Sequence, residues 1–118
     1  MVHWLSKGLL ELGHEVFLLA PEGSVPAYGV KWISIQPQNG YFQEVLSSLP
    51  SGIEIIHSSV PFSEAEEGEL PAPLITTIHG NGKVGEWFSS GAVFVSANHA
   101  RRHGRSAYVH NGVDPEEF

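Results

Sequence analysis

The sequence feature that most constrains the fold is a short β-branched run at residues 74–78, Leu-Ile-Thr-Thr-Ile, which follows Pro73 and precedes His79 and Gly80. An apolar run of this length between turn residues predicts a buried strand. Strands of this kind belong to parallel sheets that helices cover on both faces. Ligands of open α/β sheets bind beyond the carboxyl ends of the strands. The segment 79–82 is therefore the first place to look for a site.

The rest of the chain alternates between helical and strand patterns. Helices are predicted at 2–12, 42–49 and 97–103, with Ser96 capping the last, and strands at 15–20, 30–35, 53–56, 74–78, 92–95 and 107–110. The acidic stretch 63–69 is interpreted as a solvated loop or a single helical turn. Gly8, inside the first helix, suggests close packing on a sheet. The pattern predicts a single α/β domain over 1–118, with a mostly parallel sheet between two helical layers.

Composition excludes several classes of function. The net charge is -7 with a pI of about 5.4, and the absence of a basic patch argues against a nucleic-acid partner. The chain contains no cysteine, which excludes disulfides and thiolate metal sites. No apolar stretch approaches the roughly 20 residues of a transmembrane helix. The first residues lack the pattern of a signal peptide, so we expect a cytoplasmic protein.

Small and polar residues follow four of the predicted strands. They are His57, Ser58 and Ser59; His79, Gly80, Asn81 and Gly82; Ser96 and Asn98; and Asn111 and Gly112. If the strands are parallel, these residues meet at one edge, where hydroxyl, amide and imidazole groups suit a polyhydroxylated ligand such as a sugar. The alternative is that they are ordinary turn residues, since turns also favour Gly, Asn and Ser.

Histidines are the strongest candidates for chemistry. His79 is favoured because glycines at 80 and 82 let a ligand approach the backbone closely, whereas His57 is as plausible as a core imidazole. His99 and His103 lie one helical turn apart, but no third ligand is evident, so no metal site is predicted. The chain lacks G-x-G-x-x-G and G-x-x-x-x-G-K-[ST] motifs, so no nucleotide cofactor is predicted.

Arg101, Arg102 and Arg105 form the basic cluster of the sequence. It is interpreted as a solvated helix face, with contact to a phosphate or an acceptor as the alternative.

Five short motifs in order resemble the amino-terminal domain of a GT-B glycosyltransferase of the family 4 type. They are the segment 9–16 with its Gly-His-Glu-Val ending, Ile-Ile-His-Ser at 55–58, Thr-Thr-Ile-His-Gly at 76–80, Val-Ser at 95–96 and Asn-Gly-Val-Asp at 111–114. The resemblance implies a Rossmann-like acceptor-side domain in which His79 faces the donor and acceptor. Family members transfer a sugar from a nucleotide-sugar donor to an acceptor such as a sugar or lipid, usually without a metal.

Three departures from the family qualify what the resemblance implies. The family's first strand and glycine-rich loop are missing, and so is the nucleotide-sugar-binding domain that would follow residue 114. Ser59 also replaces the second histidine of the family's usual pair. We therefore expect the chain alone to be inactive. The missing central strand leaves sheet edges exposed, from which we expect a homodimer.

Two other functions remain open from the sequence. One is a non-catalytic carbohydrate-binding or oligomerisation module that kept the fold and lost the chemistry. The other is a different Rossmann-like enzyme acting on nucleotide sugars, which the lack of a nucleotide-binding loop disfavours.

Overall fold

The computed structural model describes residues 2–78 and 86–109. Its elements are α1 (Val2–Glu11), β1 (Phe17–Pro21), β2 (Lys31–Ile35), a 3-10 turn (Pro37–Asn39), α2 (Tyr41–Ser48), β3 (Ile56–Ser58), α3 (Glu64–Glu69), β4 (Leu74–Ile78), β5 (Ala92–Phe94) and α4 (Ala97–Arg102). These residues form an α/β fold with short parallel strands in two small sheets, consistent with a Rossmann-like fold and confirming the predicted fold class. They divide into two compact units, residues 2–50 and residues 51–78 with 86–109.

The first unit is built on the parallel pair β1 and β2. The pair runs in register from Phe17 opposite Lys31 to Pro21 opposite Ile35. The indole of Trp32 also donates a hydrogen bond to the carbonyl of Ala20 at 3.1 Å. Helix α2 lies against β2. Ile35, the last residue of β2, is only 2% exposed and is the most deeply buried described residue of the unit.

Strand β1 differs from its prediction. Its apolar sequence is typical of a strand buried on both faces, yet no residue from Phe17 to Pro21 is buried. In the described part of the chain β1 pairs with β2 alone, so one of its edges has no neighbouring strand. Strands of parallel sheets are normally covered on both faces by other elements. Because β1 has a neighbouring strand on one side only, its apolar sequence is only partly buried.

The second unit is built on the parallel sheet β3-β4-β5. Thr76 lies opposite Ser58 on one side and Ala92 on the other. Side chains alternate along a strand, so these registers assign the residues to two faces. One face carries seven buried residues, which are Ile56, Ser58, Leu74, Thr76, Ile78, Ala92 and Phe94. His57, Ile75, Thr77 and Val93 occupy the other face, where only Thr77 is buried.

Phe94 is the centre of the core on the buried face. It has no exposed surface. The centre of its ring lies 5.2 Å from that of Phe88 and 5.0 Å from that of His99, and both contacts are edge-on. The ring of His103 stacks on it at 5.5 Å. Aromatic pairs at such distances stabilise a core beyond the apolar area they bury.

Several element predictions need correction. The third strand begins at Ile56 instead of residue 53, so His57 lies within it and not after it. Instead of a strand at 107–110, the described residues there give one bridge, between Tyr108 and Phe94. Apart from the neighbouring backbone of α1 itself, no atom of the described residues lies within 4 Å of the position that a Cβ would take at Gly8, so the close packing expected there is wrong.

The sequence predicts a loop or a helical turn for the acidic stretch 63–69, and the structure contains the helical form, α3. Ser63 and Glu66 form a capping box, in which the Ser63 hydroxyl accepts from the Glu66 amide and the Glu66 carboxylate accepts from the Ser63 amide. Capping of this kind lets a short acidic helix persist. None of the helices within 2–78 and 86–109 combines the length and the apolarity needed to span a bilayer.

Candidate functional site

Strands β3, β4 and β5 run in the same direction, so their carboxyl ends lie at one edge of the sheet. The last strand residues are Ser58, Ile78 and Phe94. The parallel arrangement on which the predicted site depends is therefore present. Of the predicted site residues, His79, Gly80, Asn81, Gly82, Asn111 and Gly112 lie outside the described residues.

His57 and Thr77 form the polar pair of this sheet. His57 Nε2 lies 2.8 Å from Thr77 Oγ1, across the β3–β4 pairing and on the less buried face. Thr77 is only 7% exposed, whereas His57 is exposed. The hydrogen bond fixes one imidazole nitrogen, and which of the two groups donates depends on the tautomer. An exposed imidazole held in this way can accept a proton from a bound hydroxyl or donate one to it.

Thr77 is a residue that sequence reasoning missed. Its place in β4 is evident from the sequence, but its partnership with His57 depends on the register between two strands. A parallel register is set by tertiary packing, and no turn in the sequence specifies it.

Ser58 and Ser59, at the end of β3, have different environments. The buried hydroxyl of Ser58 donates to the Val60 carbonyl and accepts from the Val60 amide, so it closes the turn. Ser59, by contrast, is exposed. Of the two, Ser59 has the accessible hydroxyl.

Ser96 and Asn98 lie at the start of α4. The Ser96 hydroxyl accepts the His99 amide at 3.1 Å, which confirms the predicted N-cap. The Ser96 oxygen is thus already engaged in the helix, whereas Asn98 is exposed in its first turn. Asn98 therefore has the side chain more accessible to a ligand.

The two helical histidines belong to the aromatic core. His99 is 3% exposed, and its ring lies edge-on to that of His103 at 5.6 Å. Its Nε2 has no hydrogen-bond partner among the described residues. Within 2–78 and 86–109 no three His, Cys, Asp or Glu side chains are grouped to hold a metal ion.

No protein-family model, no curated protein and no solved structure matches this chain.

Proposed function

We propose that this chain is the acceptor-side domain of a glycosyltransferase that moves a sugar from a nucleotide-sugar donor to a sugar or lipid acceptor. The observation that carries the proposal is the parallel sheet β3-β4-β5 with the His57–Thr77 pair on it. The resemblance of segments 9–16 and 55–58 to the family motifs supports the same assignment.

The chemistry of the pair fits a hydroxyl acceptor. When the acceptor oxygen bonds to the anomeric carbon of the donor sugar, the nucleotide leaves and the acceptor proton must go to a base. An exposed imidazole can hydrogen-bond such a hydroxyl, and Thr77 would hold that ring in one orientation. His79 stays the predicted reaction-centre residue, with His57 as a positioning residue.

Saccharide titration of the whole 118-residue chain tests the proposal. Amide resonances should be followed by NMR while a methyl glycoside or a disaccharide is added. We expect shifts around β3 and in the first turn of α4. His57→Ala should weaken this binding about tenfold, since one lost hydrogen bond to a ligand is worth about 1.4 kcal/mol.

His14→Ala is the matched control, because His14 is also an exposed histidine but belongs to the first unit. It should leave the binding unchanged. Equal affinities of all three proteins, or shifts that avoid β3, would contradict the proposal. A nucleotide-sugar turnover assay of the chain alone should show no transfer, and measurable transfer would refute the expected inactivity.

We also propose that two copies of the chain associate through the open edge of β1. The supporting observation is an apolar strand that is only partly buried and, within the described residues, is paired on one side. Such edges pair readily with further strands. Light scattering over a range of concentrations should report twice the monomer mass, and Leu19→Lys should return the mass to that of one chain. A concentration-independent monomer would contradict this.

A further inference from the structure

An open cleft of about 570 Å³ lies in the second unit. It is formed by segments that precede β4 and β5 and by the turn that follows α4. Its lining residues are Glu64, Glu67, Gly68, Trp87, Phe88, Ser90 and Arg105. Cavities that bind small molecules commonly have volumes in this range.

Hydrogen bonds fix the walls of this cleft. Arg105 donates from Nη1 to the Ser89 carbonyl at 3.0 Å and from Nη2 to the Phe88 carbonyl at 2.7 Å. Glu67 Oε1 accepts from the Ser89 hydroxyl at 2.6 Å. The guanidinium and one carboxylate are thereby held in place before any ligand arrives, which lowers the entropy cost of binding.

The charges of the cleft select against simple ions. Arg105 has no carboxylate partner within the described residues, yet Glu64 and Glu67 line the same cleft. An anion that approached the guanidinium would also meet two carboxylates, and a cation would meet the guanidinium. A neutral polyol satisfies both, because each hydroxyl can donate to a carboxylate and accept from the guanidinium.

The indole of Trp87 supplies the apolar part of the site. Its side chain is 46% exposed, although it contributes to the wall of a cleft. Indole rings bury a large flat apolar area and can also donate a hydrogen bond. The C–H face of a pyranose matches such a ring, whereas its hydroxyls point sideways towards polar groups.

From this arrangement we propose that the cleft binds a neutral saccharide of one or two sugar units, stacked on Trp87 and hydrogen-bonded by Glu64 and Arg105. The site is separate from the His57–Thr77 pair and does not depend on the proposed transferase function.

Titration of the whole chain with methyl glucoside, with maltose and with inorganic phosphate tests the assignment. The readouts are the indole Nε1–H resonance of Trp87 and the fluorescence of the protein. We expect saturable shifts with the two saccharides and none with phosphate. Trp87→Ala should weaken saccharide binding about tenfold, as expected for loss of a stacking ring.

Two further variants separate a saccharide site from its alternatives. Glu64→Gln changes an exposed side chain and should weaken binding about threefold without unfolding the chain. Trp32→Phe is the matched control, since Trp32 is an exposed tryptophan of the first unit, and it should leave binding unchanged. The indole resonance of Trp87 reports on this cleft and the amide resonances of β3 report on the His57–Thr77 pair, so failure of the transferase proposal is distinguishable from failure here. Phosphate binding at Arg105, or saccharide affinity that Trp87→Ala and Glu64→Gln leave unaltered, would overturn the inference.

Discussion

Gly91 offers the sharpest test of the sheet geometry. A Cβ added at this position would lie 2.0 Å from the carbonyl oxygen of Leu74 and 3.1 Å from its carbonyl carbon. The first distance is about 1.4 Å shorter than the 3.4 Å at which ordinary contact begins. Both obstructing atoms belong to the backbone of β4, so no side-chain rotation can relieve the overlap.

The Gly91→Ala variant must therefore move the chain before β5 away from β4. The movement would break the hydrogen bond from the Thr76 amide to the Gly91 carbonyl, which is 3.1 Å long. Loss of that bond costs about 1 kcal/mol, and overpacking adds about 1–3 kcal/mol. We expect a total loss of about 2–4 kcal/mol, a large fraction of the stability of a small protein.

Urea unfolding followed by circular dichroism measures this loss. With a slope of about 2 kcal/mol per molar urea, the midpoint should fall by about 1–2 M. Gly8→Ala is the matched control, because Gly8 lies within α1. Apart from the neighbouring backbone of that helix, a methyl group there would have no atom of the described residues within 4 Å. It should raise the free energy of unfolding by about 0.5–1 kcal/mol. Equal midpoints for the two variants would refute the β4–β5 geometry.

Substitutions at three further positions probe the second unit by the same unfolding assay. Thr76→Val should stabilise the chain by about 1 kcal/mol, because the 2%-exposed hydroxyl has no partner in the described residues, whereas a loss of stability would reveal one. Ser96→Ala should cost about 1 kcal/mol through loss of the α4 cap, and Ser96→Thr should keep most of it, since threonine can also cap; equal stability of Ser96→Ala and the parent would contradict the capping role. Phe94→Ala should cost about 3–5 kcal/mol and abolish the near-ultraviolet signal of the aromatic core, and a loss below about 1 kcal/mol would contradict its central position.

The parts of the fold that the sequence predicts well are those with a strong local pattern. Strand β4 has the predicted bounds, because its β-branched run is delimited by proline and by a histidine-glycine pair. Helices α1 and α2 also agree within one residue at each end, since apolar residues recur at helical spacing.

Tertiary contacts decide what the local pattern does not. The apolar run 53–56 predicts a strand, yet Ile55 is 56% exposed and pairing starts only where the Ile56 amide donates to the Pro73 carbonyl at 2.9 Å. The position of β3 is thus set by β4, about twenty residues further along the chain. The 107–110 run likewise forms one bridge within the described residues instead of a strand.

The candidate site shows the same division. The shared carboxyl edge follows from the alternation of strands and helices, and the Ser96 cap follows from its position before a helix. The His57–Thr77 contact does not follow, because it requires the register of two strands. The cleft beside Trp87 was also missed, since its walls come from three separated segments that no motif links.

The guanidinium of Arg105 has a consequence for how the second unit opens. It links the turn after α4 to the carbonyls of Phe88 and Ser89. The backbone amide of Arg105 also donates to the carbonyl of Ala100 at 2.8 Å. Fraying of α4 at its carboxyl end would release both segments together. Amide protons near Ala100 and those near Ser89 should therefore exchange with deuterated solvent in one cooperative step, although eleven positions separate them in the sequence.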